Sequence, residues 1–166
     1  MRQTILYIAA IVCFAFACTS QNYPKAVGFI NDFEGIFSEK EVAVLDSIVS
    51  DCEAKTGMEI AVVSLNSSYT TKEEFDDYTL QLTNHWGVGK KDLDNGILIG
   101  ISSELRKLRI QNGNGIEKIL SDAETQMIVD SVFIPNFKEN AYFKGTKEGI
   151  LAIIEKLELD KTQIKN

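Results

Sequence analysis

Two short apolar runs constrain this fold more than any other feature of the sequence. Residues 58–65 (Met-Glu-Ile-Ala-Val-Val-Ser-Leu) and 97–101 (Ile-Leu-Ile-Gly-Ile) are rich in β-branched side chains, and Glu59 is their only charged residue. Runs of this length and composition predict strands that are buried on both faces. Because such a sheet needs helices on each side, the two runs indicate an α/β domain.

Four amphipathic helices are predicted from apolar residues at helical spacing. Capping boxes, in which a hydroxyl residue is followed three positions later by Glu, begin the first two helices at Ser38 and Thr71, and Ser121 opens the third. Gly57 ends the first helix, Gly87 or Gly89 the second, and the third is expected to stop before Pro135. The fourth helix is predicted over residues 142–157.

The remaining segments complete the predicted topology. Residues 105–111 alternate between apolar and polar side chains, which predicts a hairpin strand with one wet face. Residues 27–33 are interpreted as a lead-in to the first helix. The order helix, strand, helix, strand, strand, helix, helix predicts a three-layer α/β/α sandwich on a small mixed sheet.

The N-terminus has the features of an export signal. One Arg is followed by an apolar stretch that ends in Ala15-Phe16-Ala17, with a small residue before the expected cleavage point, which predicts a signal peptide over residues 1–17. Small residues before Cys18 resemble a bacterial lipobox, so we expect Cys18 to carry a lipid; a plainly cleaved secreted protein and a retained membrane anchor are the alternatives. Residues 18–26 would then be a tether, 27–157 one domain, and 158–166 a polar tail.

The net charge limits the classes of binding partner that fit this chain, and the cysteine content limits its chemistry. The formal net charge of the 166-residue chain is −7, which disfavours nucleic acid and anionic membrane surfaces and is compatible with cations. Cys52 lies on the apolar stripe of the first helix, so buried packing is expected there. Together with the signal, these features predict a lipid-anchored protein on the periplasmic side of the bacterial cell envelope.

Residues 86–96 (Trp-Gly-Val-Gly-Lys-Lys-Asp-Leu-Asp-Asn-Gly) form the most informative loop. Asp92, Asp94 and Asn95 place oxygen ligands on flexible backbone directly before a rigid strand, an arrangement that suits a hard cation or a polar ligand. Asp92-Leu93-Asp94 begins like an EF-hand, but Ser103 stands where the bidentate Glu is required. The same residues resemble the Asp-x-Asp of haloacid-type phosphatases, yet that motif must follow a strand and this one precedes a strand.

The predicted hairpin supplies neighbours for this loop. Since its strands run antiparallel, Asn114 returns beside Asp94, and Asp122 follows at the start of the third helix. Carboxylate and amide oxygens suit Ca²⁺, or alternatively Mg²⁺, far better than zinc or copper. Ordinary turn chemistry and helix capping explain the same residues without a ligand, and that alternative stays open.

Conventional catalytic residues are scarce. His85 is the only histidine and sits at a helix end, where capping is the favoured role. With one histidine and Cys52, a histidine phosphatase, a Cys/Arg phosphatase and a Ser-His-Asp hydrolase are poorly supported. Arg109, on the wet face of its strand, could meet a phosphate or an acid, and Trp86 could form a wall of the loop, although solvation and core packing are the simpler interpretations.

Several motifs in order resemble one known family, the TPM domain. They are Gly28-Phe29-Ile30-Asn31-Asp32-Phe33, Lys55-Thr56-Gly57-Met58-Glu59-Ile60-Ala61-Val62-Val63, Trp86-Gly87-Val88-Gly89, Asp94-Asn95-Gly96-Ile97-Leu98, Arg109-Ile110, Gly113, Gly115-Ile116-Glu117 and Asp122. Their order and spacing agree over nearly the whole of residues 27–157. No single motif is specific, but the set is.

The resemblance implies an extracytoplasmic, membrane-associated domain. The family includes thylakoid lumen proteins described as acid phosphatases and bacterial envelope proteins, some of which bind calcium. It also implies a role for Asp32, although a right-handed crossover places Asp32 at the opposite sheet end from Asp94. We therefore expect an envelope protein that binds a divalent cation and acts as a binding or assembly module, with an envelope protein as a candidate partner; the alternative is a metal-assisted acid phosphatase.

Overall fold

The computed structural model describes residues 23–164. The predicted signal peptide and the proposed lipid site Cys18 lie outside these residues. Within the described part, no helix is both long enough and apolar enough to cross a membrane.

One mixed sheet forms the centre of the domain. Its strands are β1 (Ile30–Asp32), β2 (Glu59–Ser64), β3 (Gly96–Ser102) and β4 (Lys107–Asn112), in the spatial order β1-β2-β3-β4. β1, β2 and β3 run parallel, and β4 pairs antiparallel with β3. The predicted β2, β3 and β4 are confirmed. β1 lies within residues 27–33, which the sequence indicates only as a lead-in to the first helix. It is not predicted as a strand because it has three residues and two of them, Asn31 and Asp32, are polar.

Six helices surround the sheet in the described residues. They are α1 (Glu39–Thr56), α2 (Phe75–Trp86), α3 (Asn114–Glu117), α4 (Asp122–Ile128), α5 (Ile134–Lys138) and α6 (Tyr142–Ile164). A π-helical turn, Val129–Phe133, joins α4 to α5. The expected stop before Pro135 is wrong, because the helical run continues through the π-helical turn into α5, and this proline lies in the first turn after the π-helical turn. α6 continues beyond the predicted end at Leu157.

The two predicted capping boxes, at Ser38 and at Thr71, differ in how close they lie to the first residue of the helix. At Ser38 the predicted box is present: the backbone N–H of Ser38 donates to Glu41 Oε2 at 2.7 Å, and α1 begins at the next residue. At Thr71 the hydroxyl accepts from the N–H of Glu74 at 3.2 Å, which closes a turn, and the regular helix begins only at Phe75. A capping box therefore marks the approach to a helix, while packing decides its first residue.

Apolar side chains of the strands alternate between two cores. On one face, Ile60, Val62 and Ile99 pack with α1, α6 and the π-turn. On the other face, Ala61 and Leu98 pack with α2. The three-layer α/β/α sandwich is thus confirmed, and the expected burial of Cys52 is confirmed as well, since only 3% of its surface is exposed.

The strand register defines two ends of the sheet. We call the end where β2 and β3 begin, at Glu59 and Gly96, the amino end, and the end where they finish, at Ser64 and Ser102, the carboxyl end. β4 runs the other way, so its last residue, Asn112, returns to the amino end opposite Ile97.

Candidate functional site

The loop between α2 and β3 lies at the amino end of the sheet. α2 ends at Trp86, and Gly87 adopts a left-handed conformation (φ 68°) that turns the chain out of the helix. The backbone N–H groups of Leu93 and Asp94 then donate to the Lys90 carbonyl at 2.8 and 2.9 Å, which closes a tight turn. Asp94 itself has a φ of +46°, a region that Asp tolerates better than most residues. The backbone therefore fixes the point from which the Asp94 side chain leaves the loop.

Glycines hold this loop against the segment that follows β4. A Cβ added at Gly115 would collide with the Leu93 carbonyl, and one added at Gly113 would collide with the Asp94 carbonyl. The N–H of Gly115 donates to the Asp94 carbonyl at 3.0 Å. Because no side chain fits between the two segments, the glycines that follow β4 are required for the loop to close.

Asn95 holds the loop to its neighbours with both polar atoms of its side chain. Its Oδ1 accepts from the Lys90 backbone N–H at 2.8 Å, and its Nδ2 donates to the Gly57 carbonyl at 2.6 Å. The predicted ligand Asn95 is therefore a structural residue of the loop rather than a free oxygen donor.

An open polar cleft of about 510 Å³ lies beside this loop. Asp94 and Asn114 line it, and Asn114 Nδ2 is 3.4 Å from Asp94 Oδ2, a weak contact. Lys90 and Lys91 line the same cleft, and Asp92 is exposed on the same loop. The hairpin brings Asp94 and Asn114 together as the sequence predicted.

Asp122 belongs to another cleft. It begins α4 and lines a space of about 370 Å³ together with Arg106, Arg109 and Asp130. Next to it, Asn112 Nδ2 donates to Thr125 Oγ1 at 2.8 Å, which ties the end of β4 to α4. The structure thus separates Asp122 from the Asp94 cleft and places it with Arg109, the other candidate contact for an acid or a phosphate.

Asp32 lies at the carboxyl end of the sheet, opposite Ser64 in the strand register. Its oxygens accept from the backbone N–H groups of Gly35 and Ile36 at 3.1 Å and of Phe37 at 2.8 Å, and from the Ser64 hydroxyl. The topological argument therefore holds: Asp32 does not share a site with Asp94. Its carboxylate closes the turn that leads into α1.

Glu34 has a similar structural role, which the sequence did not indicate. Its carboxylate accepts from the backbone N–H groups of Ser103 and Glu104 at 2.9 and 2.7 Å and from the Ser103 hydroxyl at 2.7 Å. These contacts join residues about seventy positions apart, so no local pattern marks them. Together with Asp32, Glu34 fills the carboxyl end of the sheet with internal hydrogen bonds.

Trp86 and His85 are packing residues. Trp86 Nε1 donates to the Pro24 carbonyl at 2.8 Å, and its ring lies 6.5 Å from that of Phe33. The His85 ring stacks on Tyr23 at 5.1 Å. Both side chains therefore fasten the segment before β1 to α2, and Trp86 does not line the Asp94 cleft.

Carboxyl groups with a lowered pKa are held by serines. Hydrogen bonds from Ser38 lower the pKa of Glu41, and those from Ser67 lower the pKa of Glu104. For Glu124 the hydrogen bond from Lys156, followed by those from Ser121, lowers the pKa to about 2. These contacts cap helices and turns, so the shifts mark structural carboxylates rather than catalytic acids.

Burial raises the pKa of Tyr78 to about 12, with smaller contributions from Tyr23 and Tyr69, so this phenol remains protonated at neutral pH. Within residues 23–164, no group of three or more His, Cys, Asp or Glu side chains is arranged to hold a metal ion. A cation at the amino end would therefore rely on few carboxylates, together with amide oxygens and water.

Comparison with known proteins gives one family. The family model described as the TPM domain matches residues 30–156. No curated protein matches the chain.

Solved structures with this fold come from several bacteria. The NMR structure of the N-terminal domain of a P. gingivalis protein is 30% identical, with a TM-score of 0.71 over 78% of this chain and 82% of that one. The BA42 protein of the psychrophilic bacterium Bizionia argentinensis is 23% identical, with a TM-score of 0.59 over 77% of this chain and 86% of that one. The N-terminal domain of cg2496 from Corynebacterium glutamicum is 16% identical, with a TM-score of 0.56 over 83% and 82%. The last two likenesses concern the fold alone.

Proposed function

Because this chain belongs to the TPM domain family, we propose that it is a binding and assembly module of the bacterial cell envelope, whose loop at the amino end of the sheet takes a divalent cation. Calcium is the proposed ion and Magnesium the alternative, since every candidate ligand is an oxygen. The ligands would be the carboxylates of Asp94 and Asp92 and the side-chain amide oxygen of Asn114.

The observation that supports this proposal is the fixed position of Asp94. Its backbone is held in a left-handed conformation, its carbonyl accepts from Gly115, and its carboxylate faces an open cleft beside Asn114. Because the backbone of Asp94 is held before a ligand arrives, binding costs less conformational entropy than it would on a mobile loop. The contrast with Asp32, whose oxygens already accept four hydrogen bonds, makes Asp94 the better ligand.

The donor set also sets the expected strength of binding. Calcium takes about six to eight oxygen ligands, and two carboxylates with one amide provide fewer, so water would complete the shell. Lys90 and Lys91 line the same cleft and oppose a cation there. A weak, partly hydrated site of the kind found in extracellular modules follows from these two facts.

Calorimetry with CaCl₂ on the full-length protein tests the cation site. Asp94→Ala should abolish the binding heat, while Asp77→Ala, an exposed carboxylate on α2 that does not line the cleft, should leave it unchanged. Absence of heat with the unmodified protein, or equal heat with Asp94→Ala, would overturn the proposal.

The membrane attachment is proposed from the sequence. The lipobox-like residues before Cys18 support a lipid anchor on the periplasmic side of the envelope. Cell fractionation of the unmodified protein and of Cys18→Ala tests it. Mass spectrometry of the membrane-extracted protein should find a covalent lipid on Cys18 and no lipid on the variant, and an unmodified Cys18 thiol in the unmodified protein would contradict a lipid anchor.

A metal-assisted phosphatase is the second candidate. One observation favours it: Arg109 and Arg106 share a cleft with Asp122 and Asp130, so cationic groups for a phosphate lie near carboxylates for a metal. Turnover of p-nitrophenyl phosphate should then require a divalent metal and disappear in Asp122→Asn. Turnover that is indifferent to both would come from a contaminant. The binding role is preferred because, among the described residues, no serine, cysteine or histidine lines this cleft to act as a nucleophile or a general base.

A further inference from the structure

The last strand of the sheet, β4, has an open edge. β4 pairs with β3 on one side, and no strand of the described residues lies on its other side. The N–H of Gly113 donates to the Gly96 carbonyl at 2.9 Å. In an antiparallel pair, hydrogen-bonded residues alternate along the strand, so this bond identifies which residues of β4 bond to β3. The backbone groups of Lys107, Arg109 and Gln111 therefore point to β3, and those of Leu108 and Ile110 point outward. No hydrogen bond within residues 23–164 occupies these outward groups.

A groove runs along this edge, between β4 and the helical run from α4 to α5. Leu108 and Ile110 line the strand side, and Val129 and Ile134 line the helical side, of a space of about 370 Å³. The groove continues into a space of about 470 Å³ whose lining includes Ile134, Phe137 and Tyr142. It thus combines unpaired backbone groups with an apolar wall along most of the strand.

The helical wall of the groove contains the π-turn Val129–Phe133. Val129 and Asp130 of this turn line the groove. π-Turns are rare and concentrate at functional sites, because the wider turn changes where side chains point. The wall is therefore an irregular element at the place where a ligand would lie.

The two faces of β4 would impose alternation on an added strand. Leu108 and Ile110 belong to the core face with Val129. Lys107 and Gln111 point to the other face, where Lys107 pairs with Asp76 at 2.9 Å and Gln111 donates to Thr79 at 3.0 Å. Arg109 shares that face by the period of two, so alternate residues of a fifth strand would meet an apolar wall on one side and Arg109 on the other.

Charge indicates which strand fits. The chain as a whole carries a formal net charge of −7, yet Arg106, Lys107, Arg109 and Lys138 line the groove. Arg106, Arg109 and Lys138 are exposed. Asp122 and Asp130 also line it, on the helical side. If β4 of a second copy of this chain paired here, its arginines and lysines would lie opposite those of the first copy. Like charges directly opposite each other are destabilising, so a second copy is disfavoured as the fifth strand.

We propose that the open edge of β4 is a docking site for an extended peptide segment of a partner protein, in which apolar and acidic residues alternate. The segment would add to the sheet as a fifth strand, with main-chain hydrogen bonds to Leu108 and Ile110. Its apolar side chains would face Val129 and Ile134, and its acidic side chains would face Arg109. This inference rests on the proposed role as a binding module, but it concerns a different surface from the Asp94 cleft.

The test uses the full-length protein in detergent micelles and the synthetic peptide Glu-Val-Glu-Val-Glu-Val-amide, labelled with fluorescein at its N-terminus. Fluorescence anisotropy should detect binding, and amide NMR signals of Leu108 and Ile110 should shift. A Lys-Val peptide of the same length should bind about tenfold more weakly, because Arg106, Arg109 and Lys138 line the groove. The Glu-Val peptide with alternate backbone nitrogens methylated should not bind, since it cannot complete the ladder.

Protein variants separate this surface from general charge effects. Arg109→Glu should weaken binding about tenfold, while Lys40→Glu, which reverses one charge on α1 away from the groove lining, should bind as the unmodified protein does. Asp94→Ala should also bind the peptide normally, so failure of the cation site and failure of this inference are distinguishable. Binding that survives backbone methylation, or concentration-dependent self-association through the β4 amides without peptide, would overturn the proposal.

Discussion

The two ends of the sheet use carboxylates in opposite ways. At the carboxyl end, Asp32 and Glu34 accept hydrogen bonds from the backbone and from hydroxyl groups of the protein itself. At the amino end, Asp94 is exposed and its carboxylate has one weak contact, to Asn114. An acidic residue in a loop therefore indicates a ligand only if its oxygens are not already used by hydrogen bonds within the protein. At the carboxyl end these oxygens stabilise turns, whereas at the amino end they are available to a ligand.

The largest effect should come from breaking the carboxyl end. Asp32→Ala removes the acceptor of three backbone N–H groups and leaves donors unpaired, so we expect a loss of about 3 kcal/mol in the free energy of unfolding. Urea unfolding measures it. Asp77→Ala, an exposed carboxylate, is the control, and an equal loss in both variants would show that Asp32 does not close its turn. Without denaturant, where the variant is still folded, Asp32→Ala should bind calcium with the same affinity as the unmodified protein.

A smaller effect is expected from the glycines at the amino end. Gly115→Ala places a Cβ on the Leu93 carbonyl, so the loop must move, and we expect a loss of about 2 kcal/mol in stability together with weaker calcium binding. Thermal unfolding and calorimetry measure the two quantities. Gly28→Ala, where an added Cβ meets nothing within 4 Å, should change neither. A wild-type-like Gly115→Ala would show that the loop is not held by this contact.

Glu124 offers an intermediate case, since it lies at the start of α4 and yet is held internally by Ser121 and Lys156. Its pKa is lowered from 4.5 to about 2, so its contribution to stability is complete above about pH 4.5 and is lost as pH falls toward 2. Glu124→Gln should therefore be less stable at neutral pH and show a flatter stability profile over this window. Unfolding at several pH values measures it, with Glu73→Gln as control. An unchanged slope would contradict the assignment.

The smallest effect on stability is expected at Asp94 itself. Asparagine tolerates the left-handed conformation as aspartate does, so Asp94→Asn should change the free energy of unfolding by no more than about 0.5 kcal/mol. Calcium affinity should fall about tenfold or more, because the site loses one of its few charges. Stability and calcium titrations on the same protein sample would measure both. A large loss of stability would place Asp94 with the structural carboxylates of the other end.

Local sequence signals determined most of the fold. The β-branched runs that form β2 and β3, the alternating residues of β4 and the capping boxes before α1 and α4 act within a few residues of one another, so they can be recognised from sequence alone. The hairpin also brought Asn114 to Asp94, as predicted, because a short turn fixes its own register.

Tertiary structure decided what each acidic residue does. The parallel pairing of β1 with β2 made Ile30–Asp32 a strand and put Asp32 at the end of the sheet opposite to Asp94. Asn95 Oδ1 accepts a hydrogen bond from the Lys90 backbone while its Nδ2 donates to the Gly57 carbonyl, and α4 places Asp122 in the cleft of Arg109. These outcomes depend on contacts between segments far apart in the chain. The sequence could therefore nominate oxygen-bearing residues, but only the packed sheet determined which of their oxygens remain available to a ligand.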